Sequence, residues 1–373
     1  MKFSSLYVHV PFCLRKCDYC DFISFPVGQY PQLFADYGRL LLAELELWRE
    51  QAELSALQTL YIGGGTPSLL PPAQLAALIA ALPPLDEISI EANPESVDAA
   101  KLRALRAAGC NRISFGVQSF DDGLLAAMGR GHSAAAAVAA VGLARQAGFA
   151  NIGLDLIYGL PEQSLSQWRE TLLNAMELRP QHISLYGLTL PADSPWGRRA
   201  AAGDLAVPDD DAQAEMLELA MRLLPDGGYR HYEIANFALD GYQSRHNQAY
   251  WRRENYLGLG CAAASCHLAE RWSNFRDLPA YAAAVQGGEL PLYEREQLHI
   301  DEVIAEAVFL GLRLREGINF DGFERRYGCR VERRYKKQLR RLHDLGLLEL
   351  DEGGMRLSDH GVMLGNEAFR EFV

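Results

Sequence analysis

Three cysteines spaced Cys13-x-x-x-Cys17-x-x-Cys20 follow directly on a strand-like run, Leu6-Tyr7-Val8-His9-Val10, which delivers them to a loop. Three thiolates from one short loop can hold three irons of a cubane 4Fe-4S cluster and leave the fourth iron without a protein ligand. A closed structural zinc site would need a fourth Cys or His at short spacing, and none follows nearby. Spacing and ligand softness therefore favour a cluster with one open, reactive corner.

The remaining cysteines fit the same reading. Seven in all, an odd count with three packed into one motif, suit a reducing compartment and a metal centre better than a disulfide framework. No stretch approaches about 18 uninterrupted apolar residues, so no transmembrane segment is expected. The start Met1-Lys2-Phe3-Ser4-Ser5 lacks the apolar region and cleavage site of a signal peptide. A cytoplasmic location is expected. The formal net charge of -12 argues against a general nucleic-acid binder, because phosphate contacts need clustered Lys and Arg. One local run is basic, from Arg325 to Arg341, and reads as a solvated helix face balanced in part by Glu324 and Glu332.

A strand-then-helix rhythm runs through the first half. Short apolar or β-branched runs recur at Leu6 to Val10, Thr59 to Ile62, Glu87 to Glu91, Arg112 to Val117, Gly153 to Ile157 and His182 to Leu188. Between them lie segments of helical length: Leu33 to Glu50, Ala73 to Ala81, Ala99 to Ala108, Ala134 to Gln146 and Gln167 to Glu177. Such alternation predicts an α/β fold with a parallel sheet of right-handed βαβ units. Gly109 and Gly148 sit where left-handed C-caps belong, and Ser164 can cap the following helix. Each strand ends in something conspicuous: the cysteine loop, Gly63-Gly64-Gly65-Thr66-Pro67, Glu91-Ala92-Asn93-Pro94, Gln118-Ser119, and Asp155 near Gly159. Polar groups converging from five strand ends favour a partial (β/α)6 TIM-type barrel over an open sheet.

Three regions are expected: a barrel over residues 1–230 with the cluster loop at 11–22, a connecting region at 231–298, and a C-terminal unit at 299–373. The last shows a pattern of three short helices followed by a hairpin over Leu348 to Leu357, which is winged-helix-like.

Single motifs leave alternatives open. Gly63-Gly64-Gly65 matches neither the Rossmann spacing nor a P-loop, and is either a tight turn or exposed backbone for a small molecule's amino or carboxylate group. Glu91 can cap a helix or accept from a pair of ribose hydroxyls.

Together, the run Tyr7 to Cys20 and Gly63-Gly64-Gly65-Thr66-Pro67 resemble the radical S-adenosylmethionine proteins, and within them the oxygen-independent coproporphyrinogen oxidase-like group. The resemblance covers nearly the whole chain. It implies that S-adenosylmethionine binds the open iron and that the reduced cluster can cleave it to a 5'-deoxyadenosyl radical, the protein orienting and shielding. It also implies cofactor contacts at Tyr7, Tyr19, Gly64, Gly65, Thr66, Glu91, Gln118, Arg130 and Asp155, with Thr189 a weaker carry-over. No catalytic residue is assigned.

Within the group, the choice lies between the porphyrinogen decarboxylase and its haem-chaperone relatives. The decarboxylase pattern has a further cysteine two positions past the third cluster ligand, where this chain has Phe22, and a substantial segment ahead of the cluster loop, where this chain reaches Cys13 almost at once. His246-Asn247-Gln248-Ala249-Tyr250-Trp251 reads as the His-Asn-x-x-Tyr-Trp motif of the haem chaperones. A neutral imidazole at His246 can ligate haem iron, and Tyr250 and Trp251 offer flat area for a macrocycle. The plain alternative is a surface His beside two half-buried aromatics at a domain junction. The resemblance thus implies a haem chaperone passing haem to an acceptor protein, with a membrane-associated acceptor left open; the alternative is oxidative decarboxylation of coproporphyrinogen III. Cys261, Cys266 and His267 form a weaker second ligand candidate.

Overall fold

A computed structural model of the chain describes residues 1–372. Its frame is six parallel strands: β1 (Ser5–Val10), β2 (Thr59–Gly64), β3 (Glu87–Ala92), β4 (Arg112–Gln118), β5 (Ile152–Tyr158) and β6 (His182–Gly187). They lie side by side in chain order, each hydrogen-bonded to the next. That winding never reverses, so the crossover helices are expected on one outer face, around a curled sheet of barrel type. The connections include α1 (Pro31–Arg49), α2 (Pro72–Ala80), α3 (Ala99–Ala107), α4 (Ala134–Gln146) and α5 (Leu165–Glu177).

Strands buried on both faces explain the near-continuous apolar runs. Leu6, Val8 and Val10 of β1 are fully buried in the main core, while Tyr7 and His9 occupy the alternate positions. Helix ends follow local chemistry. Gly109 (φ 113°) and Gly148 (φ 92°) take positive-φ conformations just beyond α3 and α4. Ser164 and Gln167 form a reciprocal capping box at the start of α5.

The sheet also grows beyond the six strands, which the sequence pattern did not announce. The antiparallel pair β7 (Arg230–Glu233) and β8 (Asn236–Ala238) extends it past β6. On the other side β9 (Tyr256–Leu259) pairs parallel with β1 and leads into β10 (Ala264–His267), β11 (Glu270–Asn274) and β12 (Leu292–Gln297). The short helix α6 (Arg245–Trp251) precedes β9, and α7 (Leu278–Gln286) packs against α1.

The C-terminal residues form a second hydrophobic cluster, from Ile304 to Phe372. It contains α8 (Ile300–Gly311), α9 (Phe320–Tyr327) and α10 (Lys336–Asp344), then a hairpin of β14 (Leu348–Leu350) and β15 (Gly354–Leu357), whose outer partner is β13 (Ile318–Asn319). Three further short helices (Val331–Arg334, Asp359–Met363 and Gly365–Arg370) exceed the three expected. No helix among the described residues is long and apolar enough to cross a membrane.

Candidate functional site

The cysteine loop leaves the C-terminal end of β1 and folds over the mouth of the barrel. Cys13 Sγ accepts from Thr66 Oγ1 at 3.6 Å, and Cys17 Sγ lies 3.8 Å from Arg130 Nη1. Burial pushes the Cys13 thiol up and the Cys20 thiol to about 11. Thiols desolvated in this way become stable as thiolates when a cationic centre replaces the lost water. Among the described residues no three His, Cys, Asp or Glu side chains are set to converge on a single ion. A cubane has no need of such convergence, since each thiolate takes a separate iron.

Close approach explains the glycine run. A Cβ on Gly65 would lie 2.6 Å from the Phe12 carbonyl oxygen and 2.9 Å from Cys13 Sγ, so only glycine lets the β2 end pass beneath the loop. Thr66 N donates to Phe12 O at 2.7 Å, tying the same turn to the loop.

Glu91, at the C-terminal end of β3, accepts from Tyr61 Oη at 2.8 Å and Gly64 N at 3.2 Å. Burial, and next the neighbouring Asp155, push its carboxyl up to about 7. Burial likewise raises Asp155, which accepts from Ser114 Oγ at 3.0 Å. Gln118 takes φ 68°, where the register between β4 and β5 shifts; such bulges re-aim side chains at a sheet's end. Arg130 Nη2 donates to Asn93 Oδ1 at 2.7 Å and Gly116 O at 2.6 Å, while its buried Nε has no partner. An orphaned guanidinium N–H beside the thiol loop suits a ligand carboxylate. Tyr7 Oη meets His9 Nδ1 at 2.9 Å, and His9 Nε2 in turn meets Ile23 O of the loop at 2.9 Å. Tyr19 packs on Trp196 at 5.8 Å between ring centroids. Thr189 lies exposed just past β6. Cys13, Thr66, Arg130 and Cys17 are thus linked across the mouth, Cys20 N donates to Cys17 O at 3.2 Å, and Glu91 and Gly64 pair at the neighbouring strand ends. Asn93, which joins Arg130 to Thr66, was noted from sequence only as part of its strand-end run, and Tyr61, beneath Glu91, was not singled out.

The motif on α6 lies elsewhere. Its backbone N–H groups at Arg245 and His246 donate to Glu87, the first residue of β3, and His246 Nδ1 is 2.8 Å from Thr59 Oγ1, the first residue of β2. α6 therefore closes the N-terminal end of the barrel, opposite the cysteine loop. His246 is no surface residue: it is fully buried, stacks on Tyr61 and has its Nε2 2.9 Å from Tyr250 Oη, so both ring nitrogens are engaged inside the fold. Burial pushes its pKa down to about 3, which keeps it neutral. Trp251 carries the Arg313 guanidinium 4.3 Å above its ring, and Asn247 is half-buried.

Cys261, Cys266 and His267 do not form a ligand set. Cys261 Sγ turns to Arg276 O and Cys266 Sγ to Leu268 O, and consecutive residues of β10 face opposite sides of the sheet. Part of the basic run is paired, with Arg330 on Glu324, Arg334 on Asp301 and Arg341 on Glu371.

A sequential parallel barrel with three cysteines at its mouth is the architecture of the Radical SAM superfamily, whose family profile matches residues 7–175; that of the HemN C-terminal domain matches 298–364. The chain is 35% identical over 381 residues to "Heme chaperone HemW" of Lactococcus lactis subsp. lactis, covering 100% of this chain and 98% of that protein. It is 35% identical to the protein of the same name from Bacillus subtilis, over 99% of each, and 41% identical to that of Escherichia coli over 69% of each. The solved structure of coproporphyrinogen III oxidase (HemN) of Escherichia coli superposes with a TM-score of 0.83 at 26% identity, over 100% of this chain and 90% of that one. The chain belongs to the HemW family of the radical SAM superfamily. The superfamily implies a 4Fe-4S cluster and S-adenosylmethionine.

Proposed function

We propose that the protein is a haem chaperone that binds haem at the His246-Asn247-x-x-Tyr250-Trp251 helix and passes it to an acceptor haem protein. The observation that carries this reading is the motif itself, present in a chain collinear over its full length with proteins named for that role. Cys13, Cys17 and Cys20 would hold the cluster, with the orphaned Nε of Arg130 and the glycine cradle at Gly65 as the supporting fit. When bound, the cluster and S-adenosylmethionine supply one-electron chemistry at a sulfonium centre. The chain's own groups then orient and shield. Arg130 offers donors to the cofactor's carboxylate, Gly64 and Gly65 exposed backbone, Glu91 and Asp155 acceptors for ribose hydroxyls or the amine, and Tyr7, Tyr19, Thr66, Gln118 and Thr189 the surrounding wall.

The fold match to an oxidase supports a second reading, oxidative decarboxylation of coproporphyrinogen III. Phe22, at the position where the oxidase pattern carries a cysteine, speaks against it. Anaerobically reconstituted protein should bind haem with a Soret band, deliver it to an apo-haem protein, and give no protoporphyrinogen from coproporphyrinogen. Robust turnover without haem transfer would overturn the carrier reading.

A further inference from the structure

A cavity of about 410 Å3 opens beside α6, and its wall carries Tyr7, His9, Tyr250, Trp251, Arg253 and Tyr256. The volume lies within the usual range for small-molecule sites, and four of those six side chains present flat aromatic surface. The i, i+4 spacing on α6 places Tyr250 Oη 2.9 Å from His246 Nε2, with the rings edge-on at 4.8 Å. Tyr250 is partly exposed and lines the cavity, whereas His246 is fully buried and its other nitrogen is held by Thr59. Tyr250 therefore stands between the cavity and the imidazole, and a ligand in the cavity reaches the Tyr250 side chain before His246.

Arg253 gives a second, independent observation. It is only 7% exposed, its Nε donates to Glu306 at 2.8 Å, its Nη1 donates to Leu268 O at 2.8 Å, and its Nη2 is buried with no partner. Its backbone takes φ 52°, a left-handed conformation, and Arg326 donates to its carbonyl. A wall residue with one buried guanidinium N–H unpaired, beside an aromatic surface that also carries the Glu254 and Glu306 carboxylates, matches a ligand that is flat, mostly apolar and carboxylate-bearing.

We propose that this cavity is the tetrapyrrole site, that Tyr250 and not His246 supplies the ligand to haem iron, and that Arg253 Nη2 takes a propionate. The inference rests on the haem-carrier reading and names its contacts. Tyrosine is an established axial ligand of haem iron. On loading with ferric haem an Fe–Oη bond forms, the Tyr250 Oη–H bond breaks, and the proton leaves to solvent; the iron stays ferric and no electron moves. His246, in the tautomer that carries its proton on Nε2, donates to the resulting phenolate oxygen while Thr59 Oγ1 donates to Nδ1. His246 is thus a positioning residue.

The test titrates the full-length, cluster-loaded protein with hemin. Wild type should show a phenolate-to-iron charge-transfer band and tyrosinate vibrations in resonance Raman. Tyr250→Phe, which keeps the ring, should lose both and bind roughly tenfold more weakly, the size of one lost ligand-strength contact. His246→Ala should keep the tyrosinate vibrations at shifted frequency. Wild type should also bind hemin more tightly than haem dimethyl ester, a difference that Arg253→Lys should abolish. An unchanged spectrum in Tyr250→Phe with loss of the spectrum in His246→Ala would overturn the ligand assignment while leaving the carrier reading intact. Equal affinity of wild type for hemin and its diester would overturn the propionate contact. No hemin binding by wild type would sink the carrier reading and this inference with it.

Discussion

Glu44 is a carboxyl group sealed from water between α1, α7 and the β9–β10 turn. It accepts from Gly260 N at 2.8 Å, Tyr281 Oη at 2.7 Å and Asn274 Nδ2 at 2.6 Å, yet burial still pushes its pKa from 4.5 to about 7. The fold binds this proton more tightly than the unfolded chain does. Its contribution to stability is complete below about 4.5 and is lost as pH rises through about 7. The urea midpoint of the apoprotein should fall between about pH 5 and pH 8, by an amount worth on the order of 3 kcal/mol for this group, and Glu44→Gln should flatten the slope. Parallel slopes would contradict the assignment. At the barrel mouth, Gly65→Ala drives a Cβ into Phe12 O and Cys13 Sγ; iron and acid-labile sulfide per chain should drop severalfold while the far-UV circular dichroism is unchanged. Cys17→Ser should abolish the cluster's absorbance altogether.

The six barrel strands were legible because each is a short apolar run punctuated by Gly, Asn or Pro, and each begins and ends within two residues of expectation. The antiparallel strands that extend the barrel sheet were not, although the C-terminal hairpin of β14 and β15 was. β12 is an edge strand whose residues are nearly all exposed, and its Tyr293-Glu294-Arg295-Glu296-Gln297 carries charges that blunt an edge but erase any alternation. The cysteine loop could be picked out directly, since its three thiols are neighbours in sequence. The Tyr61–Glu91–Gly64 and Arg130–Asn93–Thr66 contacts depend on register between strands, which no single run reveals. His246 was read as a ligand or a surface residue, and the same i, i+4 spacing that makes the motif recognisable is what ties its Nε2 to Tyr250. The seating of α6 on the barrel floor rests on Glu87, which takes two backbone N–H groups of that helix. Glu87→Gln should lower stability by about 1–3 kcal/mol in urea unfolding and weaken hemin binding, while cluster content at the opposite end stays intact.

The proposed cofactor and haem sites lie at the two ends of one barrel. The thiol loop sits at the C-terminal mouth, the aromatic helix at the N-terminal end, and β1 connects them through Tyr7 and His9, which face the cavity while His9 holds the loop at Ile23. The C-terminal unit has its own core but leans on the same helix and its surroundings: Arg313 covers Trp251, Ile234 N, between β7 and β8, donates to Arg313 O at 2.9 Å, and Glu306 pairs with Arg253 just past α6. The two proposed sites are therefore joined by contiguous packing. The account stands on the three-cysteine loop gripping a cubane with one free iron, and Mössbauer spectroscopy of anaerobically reconstituted, 57Fe-labelled protein tests that most directly. One of the four irons should change its isomer shift when S-adenosylmethionine is added while the other three do not. Stoichiometric zinc with negligible sulfide, or four irons indifferent to the cofactor, would contradict it.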